Sequence, residues 1–167
     1  MRRIVSVLAI LTMVSAAWRA APAQDVDLQG AWLVTNITDA DGNEIEAQPG
    51  LYLFTETHYS IMFVPGTDER AQYAGTEPTD DDRVSAYGTF IANSGRYDVA
   101  GDQLTLRAYV SKDPNYMAGF PDDLVTATVH IAGGNTLHLT YTGDGFLGGT
   151  MFTLRRVEGT PVPWESD

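Results

Sequence analysis

Three histidines, His58, His130 and His138, are the chain's only imidazoles, and it has no cysteine. Thiolate metal sites, redox pairs and cysteine nucleophiles are therefore excluded. A zinc site needs three or more converging ligands. His130 and His138 fall on adjacent predicted strands, opposite the alternating aliphatic residues, which is the solvent face. His58 is the one histidine open to an inward, axial-ligand reading. The run Asp80-Asp81-Asp82 lacks the alternating ligands and the glycine of a calcium loop and reads as a solvated acidic segment. Ser85, Ser94 and Ser111 have no Gly-x-Ser-x-Gly elbow around them. Acid–base chemistry would have to draw on His58, Asp98 or Arg107, and only if they face one cavity. Asn36-Ile37-Thr38 matches the glycosylation sequon. The residues thus predict no metal, no cofactor and no catalytic set.

The aromatic residues are more informative. Tyrosine and phenylalanine are spread over most of the chain, and a ligand cavity is mostly apolar and aromatic with a few polar anchors. Phe54, Phe63, Tyr87, Phe90, Tyr97, Tyr109 and Met117 are the predicted wall residues of such a cavity. The alternative is a barrel packed solid by the same rings.

The elements that must position these residues are short strands. Residues 30–38 are rich in β-formers, and Asp39 to Asn43 read as a turn with Asp-Gly inside it. Residues 51–55 and 58–64 form a tight hairpin. Residues 96–99 and 103–111 are joined by Ala100-Gly101-Asp102, with Leu104, Leu106, Ala108 and Val110 on one face. Residues 124–132 and 136–142 alternate as Val125, Ala127, Val129, Ile131 and as Leu137, Leu139, Tyr141. Residues 150–157 form the last strand. With Trp32 inward, alternation places Val34 and Asn36 inward too. Tyr87, Phe90 and Ile91 at i, i+3 and i+4 predict a helix over residues 85–92, capped by Asp81 or Asp82. Two long loops, residues 65–94 (including that helix) and 112–123, would cover the mouth. Eight strands in sequential hairpins predict an all-β, antiparallel, up-and-down eight-stranded barrel with one short helix.

The first 23 residues carry an address. Arg2 and Arg3 precede an uncharged apolar run, and Ala21-Pro22-Ala23 offers small residues for cleavage, the order of a signal peptide. The expected location is the periplasm or the medium. The apolar run falls short of the ~20 residues of a membrane span, so none is expected once the signal is removed. Removal takes away Arg2, Arg3 and Arg19 and no acid, leaving 7 basic against 22 acidic side chains. Nucleic acid is not an expected partner for so acidic a chain.

Gly30-Ala31-Trp32 opens the first strand, and Arg156 lies in the last, in Leu154-Arg155-Arg156-Val157. This arrangement resembles the lipocalin (calycin) superfamily, in which a Gly-x-Trp motif begins the first strand and a late arginine packs over the tryptophan ring. Tyr87-Gly88, Gly95-Arg96-Tyr97 and Arg156-Val157 are similar to motifs of bacterial lipocalin-like domain proteins. The likeness covers residues 29–157. The chain departs from that pattern in having no histidine in Leu104-Thr105-Leu106-Arg107. The resemblance implies a lipocalin-like domain over residues 24–157, with Gly30, Trp32 and Arg156 as structural motif and residues 158–167 as tail. It implies an exported protein that holds a small hydrophobic ligand in the barrel. An isomerase or cyclase acting on a lipid-like substrate in the same cavity, and an envelope scaffold that binds another protein, are the alternative functions.

Overall fold

A strand that is not paired on both sides exposes a row of N–H and C=O groups, and closing the sheet on itself removes that edge. The computed structural model describes residues 26–45, 50–65, 70–73, 75–118, 124–145 and 147–157. The signal segment and the C-terminal tail expected above lie outside these residues. The elements are β1 (Gly30–Thr38), β2 (Glu44–Ile45), β3 (Leu51–Phe54), β4 (His58–Phe63), α1 (Asp80–Gly88), β5 (Ile91–Ala100), β6 (Gln103–Ser111), a 3-10 turn (Pro114–Met117), β7 (Val125–Ala132), β8 (Thr136–Thr142) and β9 (Met151–Arg156). From β3 to β9 each strand pairs antiparallel with the next in sequence. β9 then returns to β1, Trp32 opposite Arg156 and Val34 opposite Leu154. On its other side β1 pairs with β3 through residues 30–33 and with the two-residue β2 at Ile37 and Thr38. The result is a closed, eight-stranded, all-antiparallel, up-and-down barrel with one α-helix; β2 only extends the β3 side of β1.

The inner face follows the alternation of the sequence. Leu104 and Leu106, Ala127 and Val129, Leu137 and Leu139, and Phe152 and Leu154 are buried in one continuous core with Trp32, Tyr52 and Ile61. Two bulges shift this phase. In β1 the register against β9 slips between Val34 and Asn36, so Val34 and Ile37 are both buried and Asn36 lies opposite Thr153 with its side chain half-buried. Asn36 is therefore not in the inward series that Trp32 and Val34 begin. Between β5 and β6, Ser94 faces Val110 but Gly95 faces Ala108, which leaves Tyr109 as the extra residue.

The helix also differs from its prediction. It starts earlier, at Asp80, and ends at Gly88, because Thr79 is its cap. The Thr79 hydroxyl accepts the Asp82 N–H, and the Asp82 carboxylate accepts the Thr79 N–H at 2.8 Å, a reciprocal capping box. Asp82 thus acts inside the first turn rather than as the cap. Ile91 and Ala92, read as the helix's last turn, already belong to β5, opposite Phe63 and Met62. The helical spacing of Tyr87, Phe90 and Ile91 is a coincidence of a helix end meeting a strand start.

Gly95 is required by close approach of two strands. A Cβ there would lie 1.9 Å from the Arg107 carbonyl oxygen, backbone that cannot move aside without breaking the β5–β6 ladder. Gly95→Ala is expected to cost about 2–3 kcal/mol, the upper range for overpacking. Urea unfolding followed by tryptophan fluorescence measures it; an unchanged midpoint would contradict the pinch.

Candidate functional site

Strict reversal of direction at every connection sorts the loops by end. The 55–57, 101–102 and 133–135 turns share one end with Trp32. The 39–50, 64–90, 112–124 and 143–150 connections share the other. The first end is shut. Trp32 is fully buried, its indole N–H donates to the Leu28 carbonyl at 2.8 Å, and the Arg156 guanidinium carbon stands 4.1 Å from the centre of its ring. Arg156 also donates to the Gln29 carbonyl, so the guanidinium ties the chain entering β1 to the end of β9. A guanidinium over an indole gains cation–π attraction and covers apolar surface at once. Against the outside of this end, Gln29, Gly30, Leu53, Phe54 and Thr55 line an open depression of 440 Å³.

The opposite end is the mouth, and it carries α1 and the 3-10 turn. No side chain of α1 is buried; the helix is held at its rim. The Tyr87 hydroxyl donates to the Lys112 carbonyl at 2.8 Å, and the Lys112 ammonium donates to the Tyr87 carbonyl while standing 4.0 Å from the Tyr87 ring centre. Arg70 donates to the Ala86 carbonyl and lies 5.5 Å over Phe90. The 3-10 turn packs back on β6, where the Met117 sulfur accepts the Ser111 N–H at 3.1 Å. Among the described residues β6 and β7 pair only through residues 103–106 and 125–128, so this turn lies beside the part of β6 nearest the mouth.

Between the two ends the interior changes character. Phe152 is ringed by Phe63 at 5.4 Å, Tyr141 at 5.6 Å and Tyr52 at 5.9 Å, and Phe54 meets Tyr97 edge-on at 5.2 Å. Tyr52 and Tyr141, both part of this cluster, also bring their hydroxyls together, at 3.3 Å. Tyr116, on the 3-10 turn, is electrostatically coupled to Tyr52, Tyr59 and Tyr141. Burial pushes the Tyr116 phenol up to about 12 and raises those of Tyr52, Tyr59 and Tyr141 still further. Tyr97 is raised by burial and then by the carboxylates of Asp27 and Glu56. The hydroxyl of Tyr59 and the Oδ1 of Asn93 are buried without a hydrogen-bond partner among the described residues. Asn93 faces inward because it lies directly opposite Ile61, a residue of the core. Buried polar groups without partners are rare, and each costs about 1–3 kcal/mol.

The predicted wall residues divide accordingly. Phe54, Phe63 and Tyr97 are in the core. Of these, Phe63 is in the Phe152 ring cluster, while Tyr97 donates to the Thr55 carbonyl at 2.6 Å toward the closed end. Met117 and Phe90 are half-buried at the mouth. Tyr87 is 51% exposed on the rim, and Tyr109 is 47% exposed, displaced outward by the bulge to lie against His58. The structure does not bring these last two to the interior. Tyr52, Tyr59, Tyr116, Tyr141 and Asn93 were absent from the predicted set. Alternation with Phe54, Phe63 and Leu139 marks Tyr52, Tyr59 and Tyr141 as inward; Asn93 has no such signal.

The three acid–base candidates do not converge. His58 and Asp98 are exposed, and Arg107 lies between the inward Leu106 and Ala108, opposite Arg96. His130 and His138 stack across β7 and β8 with ring centres 6.3 Å apart. Among the described residues no three His, Asp or Glu side chains gather as a metal site would need. No helix among them is long and apolar enough to cross a membrane.

The closed up-and-down barrel, shut at one end by Trp32 and Arg156 and carrying its long loops at the other, is a lipocalin-like fold. No family model matches the chain, and no curated protein matches it. Among solved structures, it is similar to a lipocalin-like protein from Bacteroides uniformis at 18% identity and a TM-score of 0.48, over 78% of this chain and 98% of that one. An uncharacterized protein from Bacteroides eggerthii is similar at 13% identity and a TM-score of 0.48, over 78% of this chain and all of that one. A redesigned beta barrel is similar at 18% identity and a TM-score of 0.41, over 78% and 91%.

The buried phenols make the fold sensitive to alkali. Unfolded, they ionise near their ordinary value of 10.0; folded, they hold their protons beyond it. Above pH 10 the folded state therefore binds more protons than the unfolded state, and stability that is complete below that pH is lost as pH rises. Tyrosinate absorbance from the buried phenols is expected to appear together with loss of the circular-dichroism signal. A single smooth titration with the fold intact would contradict the buried cluster.

Proposed function

We propose that this protein is exported and binds a small, mostly apolar molecule in the barrel interior. The observation that carries this is the pair of buried, unpartnered polar atoms, Tyr59 hydroxyl and Asn93 Oδ1, on the inner face of an otherwise aromatic interior. Lipocalin-like barrels are a ligand-binding type of fold, and an eight-stranded barrel is wide enough for one small ligand. Support for export comes from the sequence of residues 1–23 alone. With His58, Asp98 and Arg107 outside the barrel, an isomerase or cyclase has no interior acid or base among the predicted residues.

Expressed with its own N-terminus, the chain is expected in the envelope or medium fraction, beginning at Gln24. Titrated with the neutral fluorophore N-phenyl-1-naphthylamine, that product should give a saturable signal. Phe63→Trp, which adds volume beside Phe152, should weaken it by about tenfold, or ~1.4 kcal/mol. Tyr109→Ala, on the outer face, should leave it unchanged. No saturable signal, or a loss confined to Tyr109→Ala, would overturn the chamber.

A further inference from the structure

The groups that face the interior also limit what can enter it. Among the described residues no charged side chain is buried. Arg96, Asp98 and Arg107 stand on the outer face of β5 and β6. Arg156 is occupied at the closed end, over Trp32. At the mouth, Asp80, Asp81, Arg83 and Asp113 are exposed, and Lys112 is engaged with Tyr87. An ion taken out of water loses several kcal/mol of solvation that only a close counter-charge can restore. No side chain among these offers one inside. The interior instead presents neutral hydroxyls, because burial keeps the phenols of Tyr52, Tyr59, Tyr116 and Tyr141 protonated.

The two unpartnered atoms differ in what they accept. A phenol both donates and accepts, whereas a carboxamide oxygen only accepts. They stand on neighbouring strands and on one face: Tyr59 lies opposite Gly95, and Asn93 lies opposite Ile61, two residues along. Gly95 places no side chain between them.

We infer that the ligand is an uncharged, mostly apolar molecule carrying a hydroxyl, which donates to Asn93 Oδ1 and accepts from the Tyr59 hydroxyl. This rests on the chamber proposed above and names the class of molecule it selects. Carboxylates such as fatty acids are excluded by it, since they bring a charge and no donor.

Displacement of N-phenyl-1-naphthylamine from the exported chain by three eight-carbon probes, octan-1-ol, heptyl methyl ether and octanoate, tests it at pH 8. The alcohol and the ether are isomers, so their ratio reports the donor. The alcohol is expected to compete about tenfold more strongly than the ether, and octanoate more weakly than either. Asn93→Leu should bring the alcohol-to-ether ratio close to one, and Tyr59→Phe should weaken the alcohol and the ether alike. Tyr59→Phe should also raise the thermal midpoint of the free protein by about 2–4 °C, because it deletes a buried hydroxyl that has no partner. Octanoate competing as well as the alcohol, or an alcohol-to-ether ratio near one in the unsubstituted protein, would overturn the inference while leaving the chamber standing. So would a ratio unchanged by Asn93→Leu. Absence of probe binding would overturn the chamber and the inference together.

Discussion

The ladder between β1 and β9 is the constraint on which the rest of the molecule depends. With it, the sheet closes on itself, and each strand has a face turned inward. Inward residues must then be apolar or find partners among themselves, as the continuous core from Trp32 to Leu154 does. Closure also separates the ends. Because every connection reverses the chain, three short turns fall at one end and all the long connections fall at the other. The Arg156 guanidinium over Trp32 sits where β1 and β9 meet, so the same pairing that closes the sheet also seals its shorter-looped end.

The polar groups inside the closed barrel are of two kinds. Near Trp32, the packing is aliphatic and aromatic, and its polar groups are satisfied by backbone carbonyls, as with the Trp32 indole and the Tyr97 hydroxyl. The hydroxyls of Tyr52 and Tyr141 meet each other, and the Tyr59 hydroxyl and the Asn93 Oδ1 have no partner among the described residues. An apolar residue at Tyr59 or Asn93 would serve folding better, since an unsatisfied buried group costs stability. Such local conflicts between folding and sequence concentrate at functional sites. The free energy forgone there is available to a molecule that supplies the missing partner. The rim is built to match: α1 contributes nothing to the core and is tied down chiefly through Tyr87, Lys112 and Arg70.

Most of the barrel was legible because half-buried strands alternate with period two, and Leu104 with Leu106 or Leu137 with Leu139 leave little choice of face. The errors arise where that period breaks. The bulge after Val34 moves Asn36 out of the inward series, and the bulge at Tyr109 turns a predicted wall residue outward. A single extra residue leaves no mark in a list of residue types. The helix was displaced because the Thr79–Asp82 capping box, a pairing four residues wide, outweighed an apolar spacing that borrowed Phe90 and Ile91 from beyond the helix. Of the site, Phe63 was reachable from alternation, and Tyr52, Tyr59 and Tyr141 share its phase. Asn93 was not reachable. A polar residue in a strand is ordinarily read as outward, and its inward aim is fixed only by registry with Ile61.

The proposed ligand sits in the barrel interior among the side chains of Tyr52, Tyr59, Tyr116 and Tyr141. Nuclear magnetic resonance of protein labelled with carbon-13 at the tyrosine ζ position reads each hydroxyl-bearing carbon directly. On addition of N-phenyl-1-naphthylamine, the account predicts shifts at those four tyrosines while the exposed Tyr73 and Tyr109 stay in place. Shifts confined to the exposed tyrosines, with the inner four unmoved, would show binding to the outer surface and contradict it.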